Sequence, residues 1–233
     1  MMRSPLDAMI FSDGNREGFK RVIEVTHAEE PQRIFLVGPA GSGKTTLLRA
    51  RQLERDLLST KHVTYKECAD IIDAIRANAF DEDMDALGTT NVLLLDDFEG
   101  FVADKELGAY TAQLLLEERC NRGFDTVITS RKPISAYADE KPELYAVLQT
   151  FDEITIEALE GDDLIALVKS FIESYEDIET APKLSEEAVD YIVNVLDAPI
   201  GMKANAVDFL MTHYPCEPGT ELSLDEVKKA LEK

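Results

Sequence analysis

From Asp7 onward, short β-branched runs alternate with amphipathic stretches of helical period, the pattern of a parallel sheet covered by helices. A first helix is expected from Asn15 to His27, with Phe19, Val22, Ile23 and Val25 as its apolar positions. Arg33–Val37 reads as a buried strand that ends at Gly38-Pro39. Then come a helix from Thr45 to Leu58, a strand at His62–Tyr65 and a helix from Glu67 to Ala79. The acidic stretch Asp81–Asp85 reads as a loop. It leads to a strand at Asn91–Leu95, a helix from Glu106 to Arg122 and a strand at Thr126–Thr129, and Glu153–Ile156 closes a sheet of five strands. From Glu160 the period is helical, with helices expected at Gly161–Tyr175, Ser185–Val195, Gly201–His213 and Ser223–Glu232. Ser185 and Ser223 each offer a hydroxyl to the open N–H groups of a helix start. The pattern therefore predicts an α/β core over residues 1–158 and a small all-α domain over 159–233.

Composition narrows this picture. No apolar run approaches the ~20 residues that cross a bilayer, and the first fifteen residues lack the apolar core of a signal peptide, so a soluble cytoplasmic protein is expected. Cys68, Cys120 and Cys216 are too scattered for a disulfide framework or a zinc site. A net charge of −22 argues against DNA binding through phosphate neutralisation, so a direct DNA contact is expected to be weak or absent. The charge is uneven: Lys132–Lys233 holds 23 acidic residues against 8 lysines, a net −15, and no arginine. Arg49, Arg51 and Arg55, on the second helix, read as a solvated basic face.

The chemistry concentrates in two segments. Gly38-Pro-Ala-Gly-Ser-Gly-Lys-Thr45 matches G-x-x-x-x-G-K-[ST] in full and lies between a strand and a helix, as a phosphate-binding loop requires. Its glycines let backbone N–H groups converge on phosphate oxygens, and the next helix presents its positive end to them. Gly38, Pro39, Ala40, Gly41, Ser42, Gly43, Lys44, Thr45 and Thr46 are thus candidate cofactor-binding residues for ATP or ADP. Lys44 is placed for the β- and γ-phosphates and the Thr45 hydroxyl for Mg²⁺. The second segment, Asn91-Val-Leu-Leu-Leu-Asp-Asp97, ends an apolar strand on two carboxylates. Asp96 is suited to hold the metal, and Asp97 to orient or activate an attacking water.

With its continuation Phe98-Glu-Gly-Phe101, that segment resembles the Walker B run of the DnaA/Hda replication-initiator family of AAA+ proteins. Ile10-Phe-Ser-Asp-Gly-Asn-Arg16 is similar to that family's opening segment V-V-G-x-S-N-R, which lies against the adenine, so Ile10 and Phe11 become candidate base contacts. Thr126-Val-Ile-Thr-Ser-Arg-Lys-Pro133 resembles the family's fourth strand, I-V-I-S-S-D-R-P. The likeness runs from about Ile10 to about Phe209. It implies a three-layer α/β/α P-loop NTPase core of AAA+ type, with a five-stranded parallel sheet followed by a helical lid, and a regulator or accessory factor of chromosomal replication initiation. The implied partner is a replication initiator or another replication protein.

Departures from the family refine the expectation. Arg131 stands at the sensor-1 position, where the family has Asp. Gln149-Thr150-Phe151 stands where the family's S-R-F carries the finger arginine, and Lys203 is the one cation in the sensor-2 segment Gly201–Ala206. A finger arginine contributes about 10³ to 10⁵ in rate, so weak hydrolysis is expected, and self-assembly through an arginine finger is not. Arg131 is a candidate to compensate in cis at the γ-phosphate, or else a salt-bridge partner of a nearby acid. The chain ends at Lys233 soon after the lid, so origin recognition through an appended helix-turn-helix domain is not expected, and Met1–Ala8 carries no clear clamp-binding peptide. Two other classes stand beside the regulator: a DNA-dependent ATPase loader or transposition helper of the DnaC/IstB kind, and a non-hydrolysing nucleotide-binding interaction module.

Overall fold

The structure is a computed structural model that describes residues 9–54, 61–77, 81–139, 141–173, 175, 181–196, 200–214, 217 and 219–231. Met1–Ala8, Arg55–Leu58, Ala79, Cys216 and Glu232, which entered the expectations above, lie outside the described residues. The chain divides into two compact units, Met1–Ala158 and Leu159–Lys233.

In the first unit, α1 (Arg16–Glu24) runs into a 3₁₀ turn, Val25–His27, and leads to β1 (Arg33–Val37) and α2 (Lys44–Leu53). Then follow β2 (Val63–Glu67), α3 (Cys68–Arg76), α4 (Asp81–Thr89), β3 (Val92–Asp96), α5 (Glu99–Ala103), α6 (Gly108–Arg122), β4 (Asp125–Ser130), α7 (Pro142–Leu148) and β5 (Asp152–Thr155). The five strands are all parallel, in the order β2-β3-β4-β1-β5.

Alternation along the strands divides the apolar residues between two faces. Phe35, Leu93, Leu95 and Ile128 pack with Ile71, Phe101, Leu115, Leu116 and Leu144 on one side. Ile34, Leu36, Val92, Leu94 and Val127 pack with Phe19, Val22, Leu47 and Leu48 on the other. Each fully buried Leu or Ile contributes ~1.5–3 kcal/mol, so both faces of the sheet have to be covered, and three layers result.

Two sequence expectations are corrected. Asp81–Asp85 does not form a loop: it begins α4, because Leu87, one turn further on, is buried in the core beside α6 and draws the segment into helix. Arg51 is not on a solvated face. It lies three and four residues beyond Leu48 and Leu47 on the same side of α2, is 1% exposed, and donates to the Thr26 hydroxyl. Arg49 on the same helix is exposed; it pairs with Glu67 at 2.7 Å and lies over the Tyr65 ring at 5.4 Å.

The second unit contains α8 (Gly161–Glu173), β6 (Lys183–Leu184), α9 (Glu186–Asp190), a π-helical turn at Tyr191–Val195, α10 (Ile200–Thr212), β7 (Glu221–Leu222) and α11 (Leu224–Leu231). Its core gathers Val168, Ala188, Ile192, Val207, Leu210 and Val227. Ser185 caps α9 by accepting the Ala188 N–H at 3.2 Å. The helical period did not announce the short parallel ladder Lys183↔Glu221 and Leu184↔Leu222, since two residues carry no readable alternation.

Arg119 of α6 ties the first unit together. Fully buried, it donates to the Leu87 carbonyl at 2.6 Å, the Thr90 carbonyl at 3.0 Å, the Asp125 carbonyl at 2.5 Å and the Thr126 hydroxyl at 2.9 Å. Burial pulls its pKa down to about 10, which still leaves it charged at neutral pH. Arg119→Leu removes all four donations at once and should lower the unfolding free energy by about 3 kcal/mol or more. Urea denaturation followed by circular dichroism checks this, and a loss below ~1 kcal/mol would contradict it.

Candidate nucleotide site

The carboxyl ends of β1, β3 and β4 lie side by side, and the residues that leave them meet at one edge of the sheet. The loop after β1 is built around glycine. Gly41 (φ 79°) and Gly43 (φ 88°) adopt left-handed backbone that side chains resist. A Cβ on Gly38 would lie 2.7 Å from the Ile156 carbonyl oxygen and 2.9 Å from the Ser42 Oγ. The buried Ser42 braces the loop by donating its hydroxyl to the Pro39 carbonyl at 2.9 Å, and the Gly38 N–H reaches the Ser130 carbonyl at 3.1 Å.

Thr45 and Thr46 are exposed in the first turn of α2, where N–H groups have no helical partner. Ala40 and Gly41 are exposed at the tip of the loop. The Lys44 ammonium donates to the carbonyls of Gly38 at 2.6 Å and Pro39 at 2.7 Å and approaches the Ser42 Oγ at 3.3 Å. Burial lowers its pKa, while Glu99 and Asp96 act in the opposite direction, which puts these carboxylates within its electrostatic reach.

The opening segment packs beneath the loop. Asn15 is buried; its side-chain amide donates to the Ile10 carbonyl at 3.1 Å and its oxygen accepts the Ser12 N–H at 2.9 Å. Ile10 and Phe11 are half-buried. Phe11 meets Phe19 edge to face at 5.9 Å, and Phe19 in turn closes on Gly43.

Asp96, at the end of β3, is buried and receives two hydroxyls, Tyr65 from β2 at 2.9 Å and Thr129 from β4 at 2.5 Å. Thr129 Oγ1 also accepts the Asp97 N–H at 3.0 Å, and Asp97 sits at φ 52°, the one non-glycine residue with positive φ among those described. Arg131, leaving β4, faces Asp97 at 3.5 Å and Glu99 at 3.8 Å. Glu99 Oε1 accepts the Arg131 N–H at 2.7 Å and the Ser130 hydroxyl at 3.2 Å. Burial and then the neighbouring Glu99 push the Asp97 pKa up. Burial presses the same way on Glu99, but its neighbour Asp97 and hydrogen bonds from backbone N–H groups outweigh it and leave its pKa lowered.

The structure thus brings Gly38–Thr46, Asp96, Asp97 and Arg131 to one edge, with Ile10 and Phe11 below the loop. Of the two roles open to Arg131, its guanidinium shows the ion pair. Lys203 lies in the second unit, 6% exposed, with its amine donating to the Val193 carbonyl at 2.6 Å. Sequence reasoning missed Tyr65, Thr129 and Glu99. The registers Glu67↔Asp96 and Leu95↔Ile128 bring Tyr65 and Thr129 to Asp96, and such pairing is invisible along one chain. Glu99 had a local signal, a third acid just after Asp96-Asp97.

The donor set suits Mg²⁺ shared with phosphate. Asp96 keeps lone pairs beyond its two hydrogen bonds, Thr45 has an exposed hydroxyl, and Mg²⁺ takes only one or two protein ligands beside phosphate and water. Among the described residues, no group of three or more His, Cys, Asp or Glu is arranged to hold a metal.

No protein-family profile and no curated protein sequence matches the chain. Among solved structures, domain III of the Thermotoga maritima replication initiation protein DnaA superposes with a TM-score of 0.75 at 18% identity, over 97% of this chain and 95% of that one. AMPPCP-bound DnaA from Aquifex aeolicus gives 0.67 at 19% identity, over 88% of this chain and 64% of that one. A structure of DnaI gives 0.54 at 19% identity, over 70% and 94%. The architecture is therefore that of an AAA+ P-loop protein. Within that class, it is the fold of the DnaA AAA+ core.

Thr129 carries the junction between Asp96 and Asp97. Thr129→Val should cost about 1–3 kcal/mol in stability, because the Asp97 N–H and one Asp96 oxygen lose their partner, while Thr129→Ser should keep most of it. Urea midpoints of the two variants decide, and equal midpoints would remove this role.

Proposed function

We propose that the chain binds ATP or ADP with Mg²⁺ and acts as a nucleotide-dependent switch that regulates or assists chromosomal replication initiation. The observation that carries this reading is the meeting of a glycine-shaped loop holding Lys44 with the buried Asp96. On this reading Gly38–Thr46 cradle the phosphates, Lys44 neutralises the β- and γ-phosphates, and Thr45 with Asp96 holds the metal. Ile10 and Phe11 border the base. The metal supplies charge neutralisation at the phosphates.

Asp97 is placed to orient water and Arg131 is the cation available in cis at the γ-phosphate. Gln149-Thr150-Phe151 provides no finger arginine, so the reading includes slow hydrolysis and no self-activation between copies of the chain. The partner is a replication initiator or another replication protein in the cytoplasm. No helix among the described residues is long and apolar enough to cross a membrane.

The second reading is a DNA-dependent ATPase loader or transposition helper of the DnaC/IstB kind. ATP turnover with and without single-stranded DNA, beside Lys44→Ala, separates the two. The switch reading expects tight nucleotide binding, turnover slow with or without DNA, and a loss of affinity on the order of 100-fold in Lys44→Ala, the weight of losing ~3 kcal/mol of charged hydrogen bonds. Turnover that DNA accelerates and that Lys44→Ala abolishes would favour the loader. Unchanged affinity in Lys44→Ala would remove the nucleotide site altogether.

A further inference from the structure

Glu99 has no role in the reading above, yet its surroundings are constrained. It opens α5, and its backbone has little freedom because a Cβ on the next residue, Gly100, would lie 2.7 Å from the Ala69 backbone nitrogen. Its side chain is 12% exposed. Oε1 is engaged by the Arg131 N–H and the Ser130 hydroxyl, whereas Oε2 is buried without a hydrogen-bond partner.

The Arg131 guanidinium lies 3.8 Å from Glu99 Oε1 and 3.5 Å from Asp97 Oδ1, longer than close hydrogen bonds, and its side chain is 55% exposed. Exposed pairs of this kind are weak, about 0–1 kcal/mol, so the cation is lightly held. Lys44, the loop's phosphate-directed amine, lies within the electrostatic reach of Glu99, Asp96, Arg131 and Asp97 together.

Resting on the proposed nucleotide site, we propose that Glu99 sets the preference between triphosphate and diphosphate, holding the Arg131 guanidinium against Asp97 in competition with a terminal phosphate. Arg131 exchanges its two carboxylate partners for the γ-phosphate when a triphosphate is present. It has no such exchange to make with a diphosphate. Glu99 is in this sense a positioning residue: it acts on the ligand through Arg131, and the strength of its hold subtracts from ATP affinity while leaving ADP affinity alone. A cation can shift the balance between two ligands only by its differential interaction with them, and the terminal phosphate is that difference.

The test is a double-mutant cycle read as the ratio of ATP to ADP affinity with Mg²⁺ present, measured with the full chain. Glu99→Gln keeps the shape and removes the charge, and should raise the ratio about two- to five-fold. Arg131→Gln, at an exposed position, should lower it. In the Arg131→Gln background the gain from Glu99→Gln should shrink by more than half, because there is no guanidinium left to release. A structural defect in either variant would depress ATP and ADP binding together and leave the ratio flat, which would overturn the proposal. A gain from Glu99→Gln that persists undiminished without Arg131 would also overturn it, since removal of a negative charge would then suffice. Failure of the underlying site is distinguishable, because Lys44→Ala would then bind both nucleotides as the unaltered chain does.

Discussion

A buried carboxyl group has to be met by donors, and Asp96 sits at the end of a central strand with almost no exposure. Its donors come from both neighbouring strands, Tyr65 and Thr129. Because side chains alternate along a strand, a slip of one residue in β2 or β4 would turn either hydroxyl to the opposite face of the sheet and strand the carboxyl. The registers of three strands are therefore tied to one side chain. Thr129 extends the constraint by accepting the Asp97 N–H beside its left-handed backbone. The orientation of Asp97, and the place at which Arg131 and Glu99 meet it, follow from how Asp96 is satisfied.

That dependence explains which parts of the site were legible in the sequence. The glycine loop is contiguous, and Gly41 and Gly43 take the positive φ that its motif leads one to expect, so residues 38–45 announce themselves. The parallel core was legible for a related reason: Ile34, Leu36, Phe35 and Val37 all have to be buried, and a strand covered on both faces reads as an unbroken apolar run. Tyr65 and Thr129 were hidden because their partner lies 31 and 33 residues away and only strand pairing supplies the contact. Arg51 was misread for a different reason. Its spacing from Leu47 and Leu48 already placed it inside, but residue type outweighed periodicity, and the buried arginine is accommodated by Thr26. In the segment around α4 the four acids of Asp81–Asp85 outweighed the single buried Leu87 in the pattern, although in the fold that leucine decides.

Charge poses the remaining question, how a chain of net −22 could favour an anionic ligand. Exposed charges are screened over about 8 Å at physiological ionic strength, so the acidic surface as a whole matters less than the groups around the loop. There, Lys44, Arg131 and the positive end of α2 face Asp96, Asp97 and Glu99. The balance is close. Arg131 is shared between two of the three carboxylates. The site's own side chains thus leave little surplus of positive charge for a triphosphate, and on the proposed reading the metal held by Asp96 and Thr45 has to provide much of it. On the proposed reading, the added charge of one terminal phosphate is then a large fraction of the local total, which is what would let one loop distinguish a triphosphate from a diphosphate.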